Sequence, residues 1–220
     1  MLVEAKPILA IETSENLCGA CVYFSDDKYF ESDVQLKNSH SEKIYEGIDY
    51  VIKSAGIQIQ DLSHIAVSSG PGSFTGLRIG MSAAKGLAFG ASLPIVPVPT
   101  FEALALQLCS FLSDGTDFII ANKVKADEVY FAKFQIKSNS YIFTESLKII
   151  DINDLKSKFN SCLIFGNAEA NHQNMAKINT SAPLPLFIAK WSKLFGKDLL
   201  TFNYDYLEPN YLKNFIVKES

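Results

Sequence analysis

Apolar and polar positions alternate at short range through the first part of the chain and then change period. PILAIET (7–13), GACVYF (19–24) and KYFESDVQL (28–36) are rich in β-branched and aromatic residues and predict three strands, with SDDK (25–28) as the tight connection between the last two. In NSHSEKIYEGIDYVIKSAG (38–56), Ile44, Tyr45, Ile48, Val51, Ile52 and Ala55 recur at steps of three and four. That spacing predicts a helix with one broad apolar face, and Glu46, Asp49 and Lys53 fall on the other side. Ser39 and Glu42 fit a capping box at its start, and Gly56 marks its stop. HIAVSS (64–69) reads as a short buried strand and FTGLRIGMSAAKGLAFG (74–90) as a helix rich in small residues. LPIVPV (93–98) reads as a strand, followed by a helix over 100–112 capped by Thr100.

SDGTD (113–117) is a turn-rich break, and three strands follow it again, at 118–122, 128–135 and 141–150. A short helix near 153–159, a strand at 162–166 and helices near 168–177 and 184–197 come next. The tail, 203–220, is irregular and is expected to pack back through its tyrosines. Each half therefore begins with three strands and then turns helical. This pattern predicts an α/β fold in which a mixed sheet occurs twice, in domains 1–112 and 113–220.

Composition narrows the function. The net charge is −4, with an isoelectric point near 5.4, so the overall basic excess of a chain that grips nucleic acid by itself is missing. Lys123, Lys125 and Lys133 are the local exception. No apolar run reaches the roughly 18 residues of a membrane span. The first residues lack a basic segment leading into a long apolar stretch, so neither a signal peptide nor a membrane partner is expected and the location is expected to be cytoplasmic. Cys18 and Cys21 have C-x-x-C spacing, but on a strand residues three apart point to opposite faces. They read as small core residues.

The segment SSGPGSFTGLRIG (68–80) resembles a phosphate loop until its register is checked. A Walker loop would need glycine, lysine and a hydroxyl residue from position 75 on, where the chain has Thr75, Gly76 and Leu77. A dinucleotide fingerprint would need one residue fewer between Gly72 and Gly76. What remains is a turn opening a helix whose Gly76, Gly80, Ala83, Ala84 and Gly86 permit close approach of a second backbone, either another protein's or the chain's own. Arg78 is the only arginine, set against a background of lysines, and its planar five-donor fork is suited to a specific contact.

With ILAIETS, NSHSEKIYEGIDYVIKSAG, DLSHIAVSSGPGSFTGLRIGMSAAKGLAFG, PIVPVPTFEALA, EVYFA and PNYLK on the page, the chain resembles the TsaB (YeaZ) family, bacterial paralogues of the threonylcarbamoyltransferase TsaD. The match is nearly continuous from residue 8 to about 106 and patchy beyond; NKVKADEVY (122–130) departs from the family pattern. The resemblance implies the ASKHA architecture of actin, Hsp70 and sugar kinases: two RNase H-like lobes, each with a mixed, five-stranded-type sheet flanked by helices, the second more degenerate. It implies a non-catalytic scaffold or dimerisation subunit of the complex that installs N6-threonylcarbamoyladenosine next to the anticodon of tRNAs reading codons beginning with A. The implied partners are TsaD first, TsaE, and a second copy of the chain when TsaD is absent, with tRNA contacted only indirectly. It implies no cofactor of its own, with ATP or ADP bound only at the assembled complex.

No catalytic residue and no metal site are expected. TsaD-type metal sites use two histidines close together on a helix; here His40 is followed at 43–46 by Lys, Ile, Tyr and Glu, and His64 and His172 lie far away. Two alternatives stay open: an ATP-dependent phosphotransferase of the same fold, using Glu12 at the end of the first strand, and a metalloprotease-like protein. The expected partner or dimer surface comprises His40, Glu42, Tyr45, Ile48 and Ile52 on the first helix and Phe74, Thr75, Leu77, Arg78, Met81 and Lys85 on the second. A vestigial anion or nucleotide site would be formed by Glu12, Thr13, Ser14, Gly70, Gly72 and Ser73.

Overall fold

The computed structural model describes residues 6–35, 40–159, 162–168 and 180–212, and the side chains of 40–42 fall outside that description. Ser39, His172 and the helix expected near 168–177 therefore lie outside the described residues, as do the side chains of His40 and Glu42.

Strands β1 (Ile8–Glu12), β2 (Leu17–Ser25) and β3 (Lys28–Gln35) form an antiparallel meander. Helix α1 (His40–Ala55) follows, then β4 (His64–Gly70), α2 (Phe74–Ala91), β5 (Ile95–Pro99) and α3 (Thr100–Leu108). β4 joins β1 in parallel and β5 joins β4 in parallel, giving a mixed sheet in the order β3-β2-β1-β4-β5. All five residues of β1 are buried because the sheet is covered on both faces, which is why this strand reads as a continuous apolar run. One face packs Leu9, Ile11, Ala20 and Val22 against Ile44, Ile48 and Val51 of α1 and Met81, Ala84 and Ala88 of α2. Cys18 lies on this face and Cys21 on the other, as the strand period requires.

The second sheet is built from β6 (Asp117–Lys125), β7 (Glu128–Lys137), β8 (Ser140–Asp151) and, after helix α4 (Ile152–Lys158), β9 (Leu163–Phe165). Its order is β8-β7-β6-β9, with β9 parallel to β6, so it has four strands among the described residues where a five-stranded type was expected. Helix α5 (Pro185–Phe195) does not stay with that sheet. Its Leu186, Ile188, Ala189 and Trp191 pack on the first sheet beside Ala103 and Leu106 of α3. Helix α3 is apolar on more than one side: Phe101, Leu104, Ala105 and Leu108 reach Phe118, Ile120 and Phe134 of the second sheet. Tyr141 locks the three elements, its hydroxyl donating to Glu102 at 2.7 Å and accepting from Trp191 Nε1 at 2.8 Å.

Thr100 is not the cap of α3. Pro99 holds the N-cap position, and the Thr100 hydroxyl accepts instead from Gly70 N at 3.1 Å, tying the helix to the end of β4. The tail does pack back, its Tyr204 hydroxyl donating to Leu93 O at 2.6 Å. Among the described residues no helix is long and apolar enough to cross a membrane.

Candidate functional site

Three of the glycines in and before α2 exist for contacts inside the chain. A Cβ on Gly72 would collide with Ser14 O, one on Gly76 with Thr13 O, and one on Gly80 with Thr13 Oγ1. Thr13 Oγ1 in turn donates to Gly76 O at 2.8 Å, and Ser73 N donates to Ser14 O at 2.6 Å. The helix start is thus pressed against the end of β1, and Ser73 caps it by accepting from Gly76 N at 3.3 Å. Gly86 and Gly90 differ: among the described residues nothing lies within 4 Å of a Cβ at either, so their side of α2 is open to these residues. Gly70 has φ +111°, a conformation that requires glycine, and Asn210 O stands 2.9 Å from where its Cβ would be. Asn210 N donates to Ser69 O at 2.7 Å, so the tail lies across this turn.

The residues expected to form an anion site are closed over by these contacts. Glu12, Thr13 and Ser14 are fully buried, and carbonyl oxygens of Thr13 and Ser14 face the glycines. Glu12 Oε1 accepts from Ser14 N, while Glu12 Oε2 and Ser14 Oγ have no hydrogen-bond partner among the described residues. Burial pushes Glu12 up from the usual carboxylate range to about 7. Beside it, Glu15 accepts from Asn122 Nδ2 at 3.4 Å and from Asn167 Nδ2 at 2.8 Å. Burial and the neighbouring Glu12 charge push Glu15 to about 8. Asn122 Nδ2 also donates to Ser181 O at 2.7 Å, and its Oδ1 accepts from Asn167 N at 3.1 Å. A polar junction of Glu15, Asn122 and Asn167 thereby joins the loop after β1 to β6 and to the segment after β9. Sequence reading missed this junction. Its one visible signal was Asn122, a polar residue ending the apolar run FIIAN.

The outer side of α2 carries the expected arginine. The Arg78 guanidinium lies 3.9 Å from the Phe74 ring centre, and Arg78 Nε donates to the Tyr211 hydroxyl at 3.1 Å. Phe74 and Tyr211 rings are 5.0 Å apart, so the tail completes an aromatic support around the charge. Tyr45 of α1, 54% exposed, shares a hollow of about 450 Å³ with Phe74, Thr75 and Arg78. On the far side of Arg78, Lys85 and tail residues Glu208 and Tyr211 line another hollow of about 290 Å³.

The expected surface is therefore only partly a surface. Tyr45, Phe74, Thr75 and Arg78 are exposed, and Lys85 is half-buried at its edge. Ile48 and Met81 are buried at 4% and 3% exposure and pack in the core of the first sheet, Leu77 is fully buried with its Cδ1 beside Gly70, and Ile52 is half-buried against the same core as Ile48. These four hold the helices down and do not form a docking face. Of the basic patch, Lys125 pairs with Glu128 at 3.2 Å and Lys133 with Asp117 at 3.4 Å.

Comparison with known proteins agrees with this architecture. Residues 34–137 match the family model "TsaD: tRNA N6-adenosine threonylcarbamoyltransferase". The tRNA threonylcarbamoyladenosine biosynthesis protein TsaB of Bacillus subtilis is 30% identical over 221 residues, covering 94% of this chain and 93% of its own. TsaB of Haemophilus influenzae is 32% identical over 126 residues, a stretch that is 57% of this chain and about half, 52%, of that protein. Among solved structures, YeaZ from Pseudomonas aeruginosa superposes with a TM-score of 0.76, covering 94% of this chain and 100% of its own at 19% identity, which establishes a shared mixed α/β fold. With 94% of its length aligned to the Bacillus subtilis TsaB at 30% identity, the chain belongs to the TsaB family.

Proposed function

We propose that this chain is the TsaB-type subunit in the formation of N6-threonylcarbamoyladenosine on tRNA, and that it acts by binding a TsaD-type partner rather than by catalysing a step itself. The observation that carries the docking part is the outer face of α2. Arg78 is held between Phe74 and Tyr211 with Tyr45 exposed nearby, an aromatic and arginine combination suited to anchoring a partner. Family membership supports the pathway, since the Haemophilus influenzae and Bacillus subtilis relatives are TsaB proteins. In this reading the same face closes a homodimer when TsaD is absent, and TsaE joins the assembled complex. ATP or ADP binds only in that complex, tRNA is held mainly by the partners, and the modified tRNAs read codons beginning with A. The buried state of Glu12 supports the non-catalytic role, because a carboxylate closed over by Thr13, Ser14 and the start of α2 is poorly placed to hold a metal–phosphate group.

Reconstitution of the modification with this chain, its own organism's TsaD and TsaE, tRNA, and the threonylcarbamoyl donor tests the reading. Omitting the chain should abolish product, and Arg78→Glu should weaken association with TsaD by about tenfold or more. Undiminished product without the chain would overturn the proposal. ATP turnover by the chain alone that Glu12→Ala stops would favour the phosphotransferase instead.

A further inference from the structure

On the side of the first sheet opposite α1 and α2, the structure holds a cavity of about 290 Å³ that the docking reading does not use. It opens where β1 and β4 begin and β2 ends, under the last turn of α5. Its walls are apolar: Ile8, Tyr23, Phe24, Val96 and Leu200. Gly196 shapes one side, since a Cβ there would stand 2.5 Å from Ser192 O and 2.7 Å from Val96 Cγ1.

The polar groups at its base form a relay whose hydrogens can be assigned. Ser63 Oγ donates its one hydrogen to Pro7 O at 3.0 Å, so at His64 Nδ1, also 3.0 Å away, Ser63 must accept. Nδ1 therefore carries the imidazole hydrogen and Nε2 is bare. Ser192 Oγ, 2.7 Å from Nε2, is then the donor on that side. That assignment takes the imidazole as neutral, which its burial favours by lowering its pKa to about 4. The base of the cavity is thus satisfied and uncharged.

The charge lies at the mouth. Lys6, Lys193 and Lys197 line the opening, and no carboxylate lines the cavity among the described residues. This is a local reversal in a chain with 24 acidic residues against 20 basic ones. Lys193 sits 5.0 Å from the Tyr23 ring centre, which fixes an ammonium over an aromatic wall. Asp26, the carboxylate that feels Lys193, is already engaged by Lys190 at 3.1 Å and the Tyr23 hydroxyl at 2.9 Å. Among the described residues Lys6, Lys193 and Lys197 make no ion pair of their own.

An apolar slot with a neutral base and three ammonium groups at its rim has a definite complement. We propose that this cavity binds a small anionic ligand with a flat apolar body, of the aromatic carboxylate class, its ring against Tyr23, Val96 and Leu200 and its anionic head among Lys6, Lys193 and Lys197. The volume is at the small end for ligand pockets, about 300 Å³, and suits a two-ring body. The site lies across the sheet from Arg78, so it stands whether or not the docking reading does.

Titration of 2-naphthoate into the full chain, followed by calorimetry, tests it, with 2-naphthalenemethanol as the uncharged analogue. Saturable one-to-one binding of the carboxylate is expected, about tenfold tighter than the alcohol. Lys193→Glu with Lys197→Glu, both at exposed positions, should remove that preference, and Leu200→Trp, which fills the mouth, should block both compounds. Thermal melting of each variant confirms that it is folded. No saturable binding, or equal binding of the two compounds, or a preference that survives the double lysine variant, would overturn the proposal.

Discussion

Gly76 and Gly86 lie on the same helix under opposite constraints. At Gly76 a methyl group would meet the backbone oxygen of Thr13, which cannot swing away because Thr13 is itself buried and bonded to Gly76 O. At Gly86 a methyl group meets nothing among the described residues. Glycine in a helix interior costs about 1 kcal/mol relative to alanine, so Gly86→Ala should raise stability by roughly 0.5–1 kcal/mol. Gly76→Ala gains the same propensity but must push α2 off the end of β1, a net loss of about 2 kcal/mol. Urea midpoints of the two variants decide this. Equal shifts would mean that the α2–β1 contact is softer than its geometry implies. The same contrast marks a limit of the sequence. Small residues along α2 announced a close approach, but whether the neighbour was the chain itself or another molecule depended on where Thr13 and Ser14 fold.

At the scale of elements, the sequence pattern placed β1 to β5 and α1 to α3 close to where they stand, α1 and α2 through an apolar stripe each and β1 through a continuous apolar run. What periodicity does not carry is which apolar positions a helix spends on its own sheet. Ile48 and Met81 belong to that inner stripe and Leu77 is fully buried, and of the expected positions those rotated away, Tyr45, Phe74, Thr75 and Arg78, remain for a partner. Thr100 looked like a cap because a threonine precedes an apolar periodic run, yet Gly70 N claims its hydroxyl. Arg78 likewise depends on a partner 133 residues away, the Tyr211 hydroxyl. If Arg78 anchors TsaD, Tyr211 matters by holding the guanidinium in place. Tyr211→Ala should then weaken the association several-fold, and Tyr211→Phe, which keeps the ring and loses the hydrogen bond, should fall between. A Tyr211→Ala variant that binds TsaD as tightly as the parent, while Arg78→Glu does not, would show that the arginine needs no such support.

At the scale of the whole molecule, the junction between the two sheets makes stability depend on pH. Beyond Asn122 it left no sign in the sequence, because Glu15 lies 107 residues from Asn122 and 152 from Asn167. Glu12 and Glu15 are raised in the folded chain, from 4.5 to about 7 and about 8, so the native state binds more protons than the unfolded one across that range. Their contribution is complete below about pH 4.5 and is lost as the pH rises through 7 and 8. His64 acts in the opposite sense. Lowered from 6.5 to about 4, it costs stability as the pH falls below 6.5 and has no further effect above it. The window from pH 6.5 to 8 therefore isolates the carboxyls, and stability should drop there by on the order of 1–2 kcal/mol, a melting temperature lower by roughly 5 °C. Glu31, also raised by burial, is unchanged in a Glu12→Gln, Glu15→Gln double variant, so the difference between the two proteins reports the pair alone. The variant keeps polar groups of similar size toward Ser14, Asn122 and Asn167 without the charge, and its melting temperature should be nearly flat across the window. Parallel curves for parent and variant would mean that the two carboxyls titrate normally and that water reaches the junction between the sheets.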